Sequence, residues 1–192
     1  MKHVATGLAL GLLAASYAVA APVTYNVDPG HTFPAFEADH MGGLSLWRGK
    51  INSTSGKIVL DTAASTGSVD VTMDMKTIDF GHQKLNEHAR GADIFDTEKF
   101  PTATYKGKLA GFKNGNPTEV QGELTLHGVT KPVTLKITQF LCKTNPMSKK
   151  EVCGADAETH INREEFGVGY GKAAGFKMDV KLLISVEAVK AE

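Results

Sequence analysis

The stretch Glu119–Thr138, EVQGELTLHGVTKPVTLKIT, decides the fold class. Val120, Gly122, Leu124 and Leu126 alternate with Glu119, Gln121, Glu123 and Thr125. Further on, Val133, Leu135 and Ile137 alternate with Thr134, Lys136 and Thr138. A period of two, apolar on one side and wet on the other, is the pattern of antiparallel strands with one buried face. Leu124–Leu135 reads as a hairpin turning over Gly128–Pro132, and Pro132 is tolerable where the second strand opens.

The same alternation recurs outward from this hairpin. Val69, Val71, Met73 and Met75 alternate with Asp70, Thr72, Asp74 and Lys76. Val180, Leu182, Ile184 and Val186 alternate with Lys181, Ser185 and Glu187, with Leu183 the exception on the polar face. Further strands are expected near Thr24–Val27, Phe33–His40, Gly56–Leu60, Thr102–Leu109 and Ala155–Ile161. Gly42-Gly43 and Asn114-Gly115-Asn116-Pro117 mark turns between the runs. His82–Arg90 has good helix formers, places Leu85, His88 and Ala89 on one side and stops at Gly91, so it reads as one short helix. Eight or nine strands with short links suit an all-β closed antiparallel barrel, which leaves no exposed edge. A two-sheet sandwich is the alternative, and alternation alone does not separate the two.

The first twenty residues stand apart from this pattern. Lys2 and His3 precede an apolar run, Thr6–Val19, and Ala18-Val19-Ala20 has the small residues a signal peptidase reads. The run is shorter than a helix needs to cross a hydrocarbon core of roughly 30 Å. Residues 1–20 therefore read as a signal peptide and 21–192 as one exported domain, periplasmic or secreted; a retained membrane anchor is the alternative. The whole chain carries 21 basic and 21 acidic residues. Such a balanced charge gives no electrostatic footprint for nucleic acid or anionic headgroups. Cys142 and Cys153, the chain's two cysteines, read as one disulfide in an oxidising compartment.

Catalytic signatures are absent from the sequence: no G-x-S-x-G elbow, no H-E-x-x-H, no P-loop. Gly167-Val168-Gly169-Tyr170-Gly171 lacks the strand and helix that would make it a phosphate cradle. The histidines lack the tight i, i+2 or i, i+4 spacing of a metal pair, so no metal site is expected. The aromatic residues Phe33, Phe36, Trp47, Phe80, Phe95, Phe100, Phe166 and Phe176 lie mostly at strand ends or beside loops. They either cap an ordinary core or ring the mouth of a cavity. An eight-stranded barrel has interior enough to fill with side chains or to hold one small ligand. Small or soft inward positions, Gly122, Ala157, Ala188, Met73 and Met75, favour leaving room.

Several stretches, taken in order, resemble the YceI-like family of exported lipid-binding β-barrels. They are Tyr25–Pro29 followed by His31, Gly56–Asp61, Ala92–Asp96, Lys99–Tyr105, Gly122–Val133, Ile161–Gly167 and Ser185–Ala188. The resemblance implies a lipocalin-like extended barrel carrying a polyisoprenoid, an isoprenoid quinone or a similar amphiphile, with no catalytic residue and no required cofactor. On inward parity and that picture, the expected tail-binding residues are Met73, Met75, Phe80, Leu85, Ile94, Phe95, Leu124, Leu126, Phe166 and Ile184. Phe36 joins them from the aromatic set. Trp47 and Arg163 are expected at the head-group end, Arg163 because its fork suits a phosphate or quinone oxygen, and the helix around Leu85 is expected to act as a lid. The expected partner is the lipid alone, with the protein a monomer or homodimer. Two other classes stay open: an exported hydrolase without a recognisable motif, and a stress-response protein with a filled barrel that acts through its surface.

Overall fold

The structure, a computed structural model, describes residues 21–192; the expected signal peptide lies outside the described residues. Eleven strands and one α-helix follow one another. They are β1 (Val23–Val27), β2 (Phe33–His40), β3 (Ser45–Ile51), β4 (Thr54–Asp61), β5 (Thr66–Asp74), β6 (Ile78–Asp79), α1 (Gln83–Arg90), β7 (Thr102–Ala110), β8 (Glu119–Leu126), β9 (Val129–Thr144), β10 (Glu151–Asn162) and β11 (Asp179–Lys190).

Every pairing is antiparallel, and the ring closes through β11. Its C-terminal half pairs with β1, Val27 opposite Ala188, while its N-terminal half pairs with β2, Phe33 opposite Ser185. β1 and β2 are thus two halves of one long stave, interrupted at Asp28–Thr32. There the Asp28 N–H donates to Glu187 O, and Thr32 Oγ1 donates back to the same carbonyl, which keeps the interruption stitched to β11. β4 pairs with β1 and β3 with β2, so these form a second broken stave. With β5, β7, β8, β9, β10 and β11 this makes an eight-strand closed barrel, a size whose interior either fills with side chains or holds one small ligand.

The structure corrects three local readings. Ser45–Ile51 forms β3, which the sequence did not flag because Gly49 and polar residues interrupt its alternation. The hairpin between β8 and β9 turns over His127-Gly128 alone, both at positive φ (51° and 75°), as a two-residue connection of this hand demands. Pro132 therefore lies inside β9. β10 pairs with β9 only from Lys136 onward, so this part of β9 is an edge on that side, where proline is admissible. The short helix begins at Gln83, and His82 serves as its cap, with Nδ1 accepting from the Leu85 N–H.

Cys142 and Cys153 face each other across β9 and β10 and form the expected disulfide. No helix among the described residues is long and apolar enough to cross a membrane.

Candidate functional site

Alternation along the staves sends one set of side chains inward, and these do not meet across the barrel. They enclose a cavity of about 420 Å³, within the range of about 300–1,000 Å³ usual for small-molecule sites. It extends from Tyr25 and Leu60 at one end, past Val69, Leu124 and Ile184, to Trp47, His88 and Phe176 at the other. Small side chains leave the room: Ala103, Ala155, Ala157 and Ala188 stand on the wall where larger residues would fill it. Met73 and Met75 also line it. Met75 does so from a single 3₁₀ turn after β5 ends, not from the strand its spacing implied.

Gly122 behaves differently from expectation. A side chain there would sit 2.8 Å from the Tyr105 hydroxyl, so the glycine makes room for that ring and not for a guest. The single proton of Tyr105 OH is shared between the carbonyls of Val133, at 2.8 Å, and Val120, at 3.0 Å, tying the phenol to its wall. Burial pushes the Tyr105 phenol up to about 12. Tyr25, at the far end, donates to Glu151 Oε1 at 2.5 Å and is also pushed up to about 12, first by burial and then by that carboxylate.

Aromatic rings form the mouth. Trp47 on β3 stacks on His40 at the end of β2, with centroids 4.1 Å apart and planes 18° from parallel. Phe176 meets the His40 ring edge-on at 5.3 Å. Phe80 stands edge-on to Trp47 at 6.4 Å and to Phe36 at 5.3 Å, which carries the aromatic path inward. Gly49 permits this, because a side chain on it would lie 2.5 Å from the Phe36 ring. Helix α1 lies over the same end, with Leu85, His88 and Ala89 all lining the cavity. Asn86 anchors the helix: its Oδ1 accepts from the Phe80 N–H at 2.7 Å and its Nδ2 donates to Asp79 Oδ1 at 2.8 Å. Beyond the rim, the β2–β3 turn exposes Met41 and Leu44.

The charged groups at this end, Asp39 and Arg163, are already engaged. The buried Asp39 carboxylate accepts from the backbone N–H of Lys177 and of Gly42, bonds that hold it below the usual carboxylate range. Arg163 lines the cavity, but its two terminal nitrogens donate to Val168 O at 2.7 Å and Tyr170 O at 2.8 Å. Burial holds its guanidinium below the ordinary value, against the opposing pull of Asp39 and Glu164. Arg163 thus pins the Gly167–Gly171 loop, with both terminal nitrogens engaged inside the chain.

Of the thirteen residues expected to meet the guest, twelve line this cavity. These are Phe36, Trp47, Met73, Met75, Phe80, Leu85, Ile94, Phe95, Leu124, Leu126, Arg163 and Ile184. Phe166 does not. It sits on a 3₁₀ turn, Arg163–Phe166, that lies outside strand parity and turns the ring into the buried core, where it is 2% exposed. Sequence reasoning missed Tyr25, Tyr105, Asp39 and Thr54. The first two share inward parity with Val27 and Ala103, whereas Asp39 and Thr54 gave no signal. Among the described residues no group of three His, Cys, Asp or Glu is placed to hold a metal ion.

A closed eight-strand antiparallel barrel around an apolar cavity, rimmed by aromatics and covered by one helix, defines a lipocalin-like binding barrel. The YceI-like domain family matches residues 25–188, and the chain belongs to that family. It is 31% identical to a UPF0312 protein of Pseudomonas paraeruginosa and 32% identical to Protein YceI of Escherichia coli O157:H7, each match covering 99% of both chains. Among solved structures it resembles Burkholderia cenocepacia BcnA, with a TM-score of 0.68 and 23% identity over 84% of this chain and 99% of that one. It also resembles a polyisoprenoid binding domain from Saccharophagus degradans, with a TM-score of 0.61 and 14% identity over 88% of this chain and 99% of that one. At these identities the structural likeness is one of fold.

Proposed function

We propose that this chain is an exported carrier that holds a polyisoprenoid, an isoprenoid quinone or a similar amphiphile inside its barrel, for transport, storage or sequestration in the periplasm. The observation that carries the reading is the 420 Å³ apolar cavity, with aromatic residues and helix α1 at one end. One buried five-carbon isoprene unit contributes on the order of 3–4 kcal/mol, at about 0.8 per carbon group. Two or three units offset the cost of ordering a flexible tail and leave micromolar binding or better. The solved Saccharophagus degradans domain, described as polyisoprenoid binding, shares this fold and supports the ligand class. The leader-like residues 1–20 support export.

The reading is of a binding protein and not of a catalyst. Asp39 and Arg163, the charged groups at the cavity wall, are bound to backbone amides and carbonyls, which leaves them poorly placed to exchange protons with a guest. Trp47, the chain's single tryptophan, stands at the mouth and reports occupancy. Titration with a short-tailed isoprenoid quinone is expected to quench its fluorescence saturably, at micromolar concentration or below. Quenching that rises linearly without saturation counts against the proposal.

A further inference from the structure

We propose that Thr54 reads the polar end of the guest, donating a hydrogen bond to a neutral oxygen such as a carbonyl on an otherwise apolar ligand. The proposal rests on the carrier reading above and names the chemistry that reading leaves open.

Thr54 opens β4 opposite Met73, lines the cavity and is 2% exposed. Among the described residues its Oγ1 is the buried side-chain polar atom with no hydrogen-bond partner. The fold satisfies its other buried hydroxyls from within. Thr32 Oγ1 donates to Glu187 O, Thr97 Oγ1 to Arg90 O and Tyr105 OH to two carbonyls. A buried hydroxyl left unpaired costs stability, and valine fills the same space without that cost. The threonine is therefore better explained by a partner that arrives with the guest.

Its surroundings define that partner. Met73, opposite Thr54, packs against the buried apolar cluster Ile51, Met75, Ile78, Ala89 and Ala103. A charged head group would need a cation at this level. The guanidinium nearest in role, that of Arg163, already donates to two backbone carbonyls. A single hydroxyl in an apolar belt suits a neutral acceptor and leaves an anion unpaired. One staggered step of χ1 exchanges the methyl and hydroxyl of a threonine, and here that step breaks no internal hydrogen bond. The belt lies beneath α1 at the aromatic end, so the acceptor sits near the mouth and the tail runs toward Tyr25.

The test compares Thr54→Val and Thr54→Ser with the wild type. Dissociation constants for a short-tailed isoprenoid quinone and for squalene, which has no oxygen, are measured by displacement of an apolar fluorescent dye. Thr54→Val is expected to weaken the quinone about tenfold, the worth of one neutral hydrogen bond. Squalene binding is expected to stay unchanged, and Thr54→Ser to remain within about twofold of wild type for both. The thermal midpoint of Thr54→Val is expected to equal or exceed the wild-type value. The infrared carbonyl stretch of the bound quinone is expected below its position in hexane for the wild type and back at that position for Thr54→Val. Quinone binding unchanged in Thr54→Val overturns the proposal, as does equal weakening of both probes, which would make Thr54 a shaping residue only. Wild type that binds neither probe overturns the carrier reading itself and this proposal with it. If Thr54→Val fails to fold, an unshifted carbonyl band on the wild type overturns the proposal alone.

Discussion

Tyr25 and Tyr105 show how single side chains hold a hollow barrel in shape. Each phenol stands in the apolar wall with its hydroxyl tied to another strand, Tyr25 to Glu151 on β10 and Tyr105 to carbonyls on β8 and β9. Both are pushed up to about 12 from the ordinary 10.0, chiefly by burial. A folded-state value above the unfolded one means that the neutral phenol is favoured by folding. That stability is complete below about pH 10 and is lost as the pH climbs toward about 12. The unfolding free energy is expected to fall over this window with a slope of up to about 1.4 kcal/mol per pH unit for each phenol. A Tyr25→Phe, Tyr105→Phe variant is expected to lose that part of the slope, measured by denaturant unfolding across the window. Equal slopes in the two proteins would remove the tyrosines from this role. Neither residue was singled out from the sequence as part of the site. Alternation reports which face a side chain takes but not whether its hydroxyl finds a carbonyl 15 or 28 positions away.

Helix α1 is the element that covers the aromatic-lined end, and Asn86 is the side chain that ties it to β6, beside a longer bond from Arg90 to Lys76 O. Asn86 holds the Phe80 N–H and the Asp79 carboxylate together, fixing the helix to β6, which itself pairs with β3 by only two residues. Asn86→Ala is expected to speed amide exchange across Gln83–Arg90 while leaving the protection of β7 to β11 unchanged. Dissociation of a bound quinone is expected to quicken with it. Exchange that stays slow throughout would show that packing of Leu85 and Ala89 holds the helix without Asn86. The helix was legible in the sequence, because its formers, its stop at Gly91 and the shared side of Leu85, His88 and Ala89 are all local features. The strands at Phe33–His40 and around Glu119–Ile137 were legible for the same reason. β3 was not, since Gly49 serves the Phe36 ring across the sheet and that demand is invisible in its own segment. Phe166 misled for a related reason: a 3₁₀ turn, not a strand, sets its direction.

At the scale of the whole molecule the barrel is closed but not filled. Closure gives each stave a hydrogen-bonded neighbour on both sides, with short open stretches such as Val129–Leu135 of β9 on the β10 side, so the fold does not depend on a solid centre to protect its edges. Alanines on the wall then leave a channel where leucines would have met. Barrel and sandwich were indistinguishable in the sequence because both show the same alternation. Pairing of β11 with β1 separates them, a contact between positions more than 160 residues apart. The central claim, that this channel holds a long apolar guest, is tested most directly by native mass spectrometry of the protein purified from its own compartment without detergent, followed by organic extraction. The account predicts a mass above that of the bare chain, released on extraction as a hydrocarbon-rich amphiphile. Bare protein recovered repeatedly, which then takes up neither prenols nor isoprenoid quinones, would contradict it.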